Sequence, residues 1–216
     1  MLPGPCVAKL GQVGYSYAGP MFTDSTATLF SLPGRDAYTI PTVIMPDGEY
    51  IMDSAEIAKA VEKAFPEPSL HLDSTFVDRL FAVLKEIMAA ILPVYIPLVP
   101  QRILNEASQP YWYETREAKV GMPLDQLARE KGGDPAWAAA APFLRQVSDL
   151  LRENPQGPFF LGETPSYTDF IWGGLLVFLR RIGDDVLEKG LESTGDRDLH
   201  LKFLEAIKPW SERDSY

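Results

Sequence analysis

The sequence predicts an α/β unit followed by an all-α bundle, and three observations carry that expectation. Before residue 66, short β-prone runs (Tyr38 to Met45, Glu49 to Met52) alternate with Gly and Pro. After it, long segments carry helical periodicity with almost no strand-like alternation. Between the two, Pro66-Glu67-Pro68-Ser69-Leu70-His71-Leu72-Asp73 has the proline content and polar flanks of a linker, which divides the chain into domains over 1–65 and 74–216. At roughly 150 residues per domain, 216 residues fit one large domain or two small ones.

In chain order, Thr39-Ile40-Pro41-Thr42-Val43-Ile44-Met45 is an apolar, β-branched run. The turn signal Pro46-Asp47-Gly48 and a second run, Glu49 to Met52, complete a β-hairpin. Asp53-Ser54-Ala55-Glu56 has capping-box spacing and opens a helix whose apolar stripe is Ile57, Val61 and Ala64. Asp73-Ser74 caps the next, with Phe76, Leu80, Leu84, Ile87 and Ile91 on its core face. The greasy run Ile87 to Val99 is broken by Pro93 and Pro97 and falls short of the ~20 apolar residues that span a bilayer, so it reads as a buried or pocket-lining helix end. Asp134-Pro135 reads as an N-cap followed by proline at the first helical position, and Pro142 is expected to kink the helix that continues through Phe143 and Val147. Ser166-Tyr167-Thr168-Asp169 is a capping box in front of a central buried helix, Phe170 to Leu179, and a last amphipathic helix runs from about Leu199 to Trp210.

Composition narrows the function. Lys plus Arg is 20 against 30 for Asp plus Glu, and the net charge of -10 disfavours nucleic acid and anionic membrane surfaces as partners. One cysteine, Cys6, excludes an internal disulfide framework, and two histidines, His71 and His200, give no cluster at metal spacing, so no metal is expected. The N-terminus has neither a positive n-region nor an apolar h-region, which makes the cytoplasm the default location. GxSxG, GxxxxGK[ST], HExxH and CxxC are all absent, which demotes self-contained hydrolytic, phosphoryl-transfer and metal chemistry.

What remains is Ile40-Pro41 on a strand and, 12 residues after Pro41, Asp53-Ser54 at a helix N-terminus. A cis bond before Pro41 would turn the chain and expose the Ile40 N–H and C=O to an extended peptide. Ser54 and the first N–H groups of its helix favour a carboxylate, while Asp53 can pair with an ammonium. Taken singly, such residues are ordinary turn and cap chemistry; in this order they fit a small peptide with a free amino-acid head.

These features, with Tyr38-Thr39-Ile40-Pro41, Asp47-Gly48, Asp53-Ser54 and the Ser166-to-Asp169 box in family order, resemble a cytosolic glutathione transferase. Tyr111-Trp112-Tyr113-Glu114-Thr115-Arg116-Glu117, Gly121-Met122-Pro123-Leu124 and Gly183-Asp184-Asp185 most resemble the etherase-like class found in fungi and some bacteria. The resemblance implies a thioredoxin-like N-terminal domain followed by an α-helical bundle, and a homodimer. It also implies glutathione as co-substrate, its cysteinyl backbone paired with Ile40 across a cis Pro41 and its γ-glutamyl end held by Asp53 and Ser54. A hydrophobic small-molecule electrophile is the second substrate, for which Tyr95, Tyr111 and Trp112 could line an apolar pocket.

The chain also departs from the pattern. A full β-α-β-α lead-in needs about 46 residues, whereas 40 precede Pro41 and hold four prolines and five glycines, so the first strand is expected to be missing or degenerate. Etherase-like members carry an activating serine at the N-terminus of the first helix, and here Cys6 lies near that place. A helix-terminal thiol with a lowered pKa could form a mixed disulfide with glutathione or donate to its thiolate; a free cysteine is the alternative, and Ser16 and Ser25 are further hydroxyls. Arg116 and Glu117 read as a solvated or inter-helix ion pair, and Asp184, Asp185 and Glu188 as a solvated surface. The expected activity is glutathione transfer to an electrophile. Glutathione-dependent cis/trans isomerisation of a conjugated olefin, β-aryl-ether cleavage and non-catalytic ligand carriage remain as alternatives.

Overall fold

The computed structural model describes residues 41–45 and 48–211. The chain divides into two compact units, one ending at Leu72 and the other starting at Asp73. In the first, strands β1 (Thr42–Ile44) and β2 (Tyr50–Met52) pair antiparallel with Val43 opposite Ile51. The connection closes through Met45 N–H to the Glu49 carbonyl and Gly48 N–H to the Met45 carbonyl, both 2.8 Å. Gly48 has φ 88, a conformation that glycine adopts without a steric penalty. Helix α1 (Ser54–Ala64) buries Ile57 and Val61 against Val43 and Met45, as the apolar spacing demands. The Glu62 carboxylate then accepts from the Ser69 hydroxyl at 2.7 Å and the Leu70 N–H at 3.0 Å, tying the following linker to this helix.

The second unit is helical among its described residues. Its elements are α2 (Thr75–Ala90), α3 (Leu92–Arg102), a 3-10 turn (Glu106–Ser108), α4 (Gln109–Val120), α5 (Leu124–Lys131), α6 (Asp134–Arg152), α7 (Tyr167–Ile182), α8 (Asp184–Ser193) and α9 (Arg197–Ser211). Helix α7 touches α2, α3, α8 and α9, and it places Trp172, Leu176 and Leu179 at the centre of the core. Gly173 lets α9 close on it: a Cβ there would stand 2.5 Å from the Ile207 Cδ1.

Two buried polar clusters form around the N-terminal ends of α7 and α9. The Asp169 carboxylate accepts from the Ser166 N–H and hydroxyl, both at 2.7 Å, and from the Phe160 N–H at 3.0 Å. Burial pushes this carboxyl's pKa up, while the three donated hydrogen bonds pull it down. His200, with no exposed surface, accepts at Nδ1 from the Trp172 indole N–H at 3.1 Å. Its Nε2 therefore carries the proton toward Ser148 Oγ at 2.8 Å, and Ser148 donates onward to the Thr194 carbonyl at 3.0 Å.

Prolines shape α3. It follows α2 after the single residue Ile91, at a bend of 74°. Pro97 and Pro100 lie inside it, and each lacks the N–H that would bond four residues back. Pro100 thereby frees the Ile96 carbonyl, which accepts from the Trp112 indole N–H at 3.0 Å. Pro97 frees the Pro93 carbonyl, which α5 approaches so closely at its C-terminus that a Cβ on Gly132 would stand 3.2 Å from it. Among the described residues no single helix is long and apolar enough to cross a membrane.

Several expectations are corrected. Gly133, at φ 65, is the cap of α6, so Asp134 and Pro135 are already inside the helix. Proline is tolerated there because the first N–H groups of a helix have no partner within it. Arg116 stacks on the Trp112 ring at 4.4 Å and Glu117 accepts from the Leu124 N–H at 3.0 Å, so the two do not form the expected pair. Asp185 pairs with Arg102 at 2.9 Å and Glu188 with Arg197, which lowers both carboxylates' pKa values. The expected solvated surface itself stands, since Asp184 and Asp185 are exposed and both pairs lie at the surface.

Candidate functional site

Asp53 and Ser54 lie side by side, both exposed, where β2 passes into α1. Asp53 is the N-cap, and its Oδ1 accepts from the Ala55 N–H at 2.8 Å and the Glu56 N–H at 3.4 Å. Two of the helix N–H groups expected to face a ligand carboxylate are thus already taken, and the anion-binding end narrows to the N–H and hydroxyl of Ser54. The expected capping box is only half formed, because Glu56 turns to Lys59 at 2.7 Å instead of back to Asp53.

The backbone of Asp53 is unusual. Its φ of 76 with ψ of 125 lies in a region that L-residues rarely adopt. Such a conformation costs about 1 to 3 kcal/mol and clusters at ligand clamps. Here it aims a carboxylate at the helix mouth and presents the next residue's hydroxyl beside it.

A stability test follows from this strain. Asp53→Gly is expected to leave α1 as stable as before, or up to about 1 kcal/mol more stable, because relieved strain offsets the lost cap. Asp53→Ala loses the cap and keeps the strain, at a cost of about 1 kcal/mol. Hydrogen exchange at the Ile57, Ala58 and Val61 amides reads the difference; an alanine variant better protected than the glycine variant would contradict the strain.

The remaining expected site residues are placed as follows. Cys6, Ile40 and the Ile40–Pro41 bond lie outside the described residues; Pro41 is exposed, just ahead of β1. The cis peptide bond among the described residues is Glu67–Pro68. A cavity of about 570 Å³ on this unit runs along β2 and the Glu56, Lys59 and Lys63 side of α1, without Asp53 or Ser54 in its lining.

In the helical unit, Tyr95 and Trp112 come together around Ile96, Leu124 and Leu127. Tyr95 also packs edge-on against Phe178 at 5.7 Å. Tyr111 does not join them: it is 56% exposed, because the residue before Trp112 is rotated about 100° around the helix. Burial raises the pKa of the Tyr95 hydroxyl, and the charge of Arg116 opposes that rise. Sequence reading placed Arg116 in an ion pair and missed its stacking on Trp112, although the two stand at the i, i+4 spacing that brings side chains together on a helix. Among the described residues no group of three or more His, Cys, Asp or Glu could hold a metal ion.

Comparison with known proteins gives a consistent picture. Residues 72–210 match the family described as glutathione S-transferase, C-terminal domain. The glutathione S-transferase-like protein ustS of Aspergillus flavus is 29% identical over 161 residues, 68% of this chain and 57% of that protein, so the chain spans little more than half the length of this relative. A glutathione S-transferase of Ceriporiopsis subvermispora, solved in complex with glutathione, superposes with a TM-score of 0.68 at 27% identity, over 82% of this chain and 74% of that one. Glutathione transferase GSTFuA2 from Phanerochaete chrysosporium gives 0.69 at 21% identity over 88% and 81%, a likeness of fold alone. These likenesses bear out the expected fold class, a small α/β unit followed by a helical bundle.

Proposed function

Because this chain belongs to the glutathione S-transferase family, we propose that it binds glutathione and presents the thiolate to a hydrophobic electrophile. The observation that carries this reading is the strained Asp53, whose carboxylate shares an exposed helix mouth with the hydroxyl of Ser54. That pair is complementary to a zwitterionic amino-acid head: Ser54 donates to the carboxylate and Asp53 faces the ammonium. The glutathione bound by the Ceriporiopsis subvermispora neighbour supports the same ligand. In this reading the γ-glutamyl end is gripped far from the sulfur, and its binding energy serves to orient the thiol. Ile40 and Pro41 hold the cysteinyl backbone, and Cys6 is the candidate donor to the thiolate.

The thiolate attacks an electrophilic carbon, forming a C–S bond while a leaving group departs or the adduct takes up a proton. On a conjugated olefin the same attack, followed by rotation and expulsion of the thiolate, isomerises the double bond and consumes no glutathione. Counting free thiol against converted substrate separates the two outcomes. Binding is tested by calorimetry: Ser54→Ala is expected to weaken glutathione binding by about 1 to 3 kcal/mol, roughly 5- to 150-fold. A change within twofold would remove Ser54 from the site.

A further inference from the structure

Arg116 differs from the other described arginines in its burial. Arg79, Arg102, Arg129, Arg152 and Arg197 are exposed and each pairs with a carboxylate, while Arg145 and Arg180 are exposed to water. Arg116 is the one described arginine that is half-buried, and it has no carboxylate partner among the described residues. Taking a cation partly out of water costs free energy that a buried charge normally recovers from a counter-ion.

The group is also held in place. Its guanidinium lies over the Trp112 ring at 4.4 Å, and one N–H bonds the Thr115 hydroxyl at 3.0 Å. The indole beneath is fixed by its bond to the Ile96 carbonyl at 3.0 Å. Most of the five guanidinium N–H donors remain without a protein acceptor. Tyr95, next to Ile96, is half-buried against Phe178, and its hydroxyl makes no hydrogen bond among the described residues. Tyr95 and the Trp112 that carries Arg116 pack on the same cluster of Ile96, Leu124 and Leu127, and the Arg116 charge is near enough to act on the Tyr95 hydroxyl.

We propose that Arg116 and Tyr95 form an anion subsite that takes the carboxylate of an apolar co-substrate. Trp112 holds the guanidinium plane, Arg116 receives the carboxylate through its N–H edge, and Tyr95 adds a neutral donor. The electrophile is therefore an aromatic or polyene-like acid rather than a neutral hydrocarbon. This deepens the proposed function and rests on it for the identity of the reaction, though not for the binding itself.

The test is calorimetric titration of the full chain, with and without saturating glutathione, using 1-naphthaleneacetate and its uncharged amide as probes. The acid is expected to bind roughly tenfold or more tightly than the amide. Arg116→Gln brings the two within about twofold by removing the charge, and Arg116→Lys, which keeps the charge without the planar fork, falls between. Tyr95→Phe lowers the preference about threefold. Equal binding of acid and amide, no binding of either, or a preference that survives in Arg116→Gln overturns the subsite. If glutathione binds while the acid preference is absent, only the subsite falls. If glutathione does not bind, the proposed function falls, and the titration without glutathione judges Arg116 alone.

Discussion

Replacing Asp169 with alanine is expected to cost the helical unit about 3 to 5 kcal/mol. The carboxylate serves three buried donors, the N–H of Phe160 and the N–H and hydroxyl of Ser166, and alanine leaves all of them in an interior that water does not reach. Each stranded donor costs about 1 to 3 kcal/mol, and the loss of a helix cap adds about 1; the contributions overlap, which keeps the total below their sum. Asp169→Asn keeps one acceptor oxygen and is expected to lose about half as much. The four tryptophans, Trp112, Trp137, Trp172 and Trp210, all lie in this unit, so their fluorescence during urea unfolding follows it without interference from the smaller one. Equal midpoints for the alanine and asparagine variants would mean that the hydrogen bonds contribute little.

Acidification is expected to remove about 3 kcal/mol from the same unit between pH 6.5 and pH 4. Burial, against an upward pull from Asp196 and with a smaller push from the charge of Arg152, lowers the His200 pKa from 6.5 to about 4. In that window the unfolded chain takes up a proton that the folded chain refuses, so stability falls with pH at up to about 1.4 kcal/mol per unit. The contribution is complete above pH 6.5 and lost at about pH 4. Glu153, Glu188, Asp185 and Asp196 are held below their usual range by arginines, so their loss begins only near the bottom of the window. Asp169, raised by burial, works in the opposite sense, favouring the folded state as it becomes protonated. The measurement is the urea midpoint of the wild type and of His200→Gln at pH 7 and pH 4.5. The variant is less stable at pH 7 but lacks the steep fall; a parallel fall in both proteins would assign the acid sensitivity elsewhere.

The parts of the fold that depend on neighbours in sequence were legible. Gly48 completes a turn beside Pro and Asp, Ser166 and Asp169 sit three residues apart before an apolar run, and Ile57 and Val61 share one helix face. The start of α6 was misplaced by one residue, because Gly133 and Asp134 are both plausible caps before a proline and only the backbone conformation decides between them. The Trp172–His200–Ser148 chain was invisible for a different reason: its members lie 28 and 52 residues apart, and no local pattern joins them. At the candidate site, Asp53 and Ser54 were read from their place before a helix. The strain at Asp53 and its hold on two helix N–H groups are matters of dihedral angle that composition does not encode. Tyr111, Trp112 and Arg116 show the same division, since neighbouring aromatics look alike in sequence until the helix phase sends one outward and stacks a cation on the other.

The prolines of α3 do more than bend it. A regular helix consumes its own carbonyls and offers neighbours only side chains, whereas this one has surrendered internal bonds and holds two acceptors open along its flank. Trp112 plugs one of them, and the C-terminus of α5 crowds the other. Substituting alanine at position 100 would thus mend the helix while unfastening the indole beneath Arg116: here a local defect is the joint by which the neighbouring helices attach.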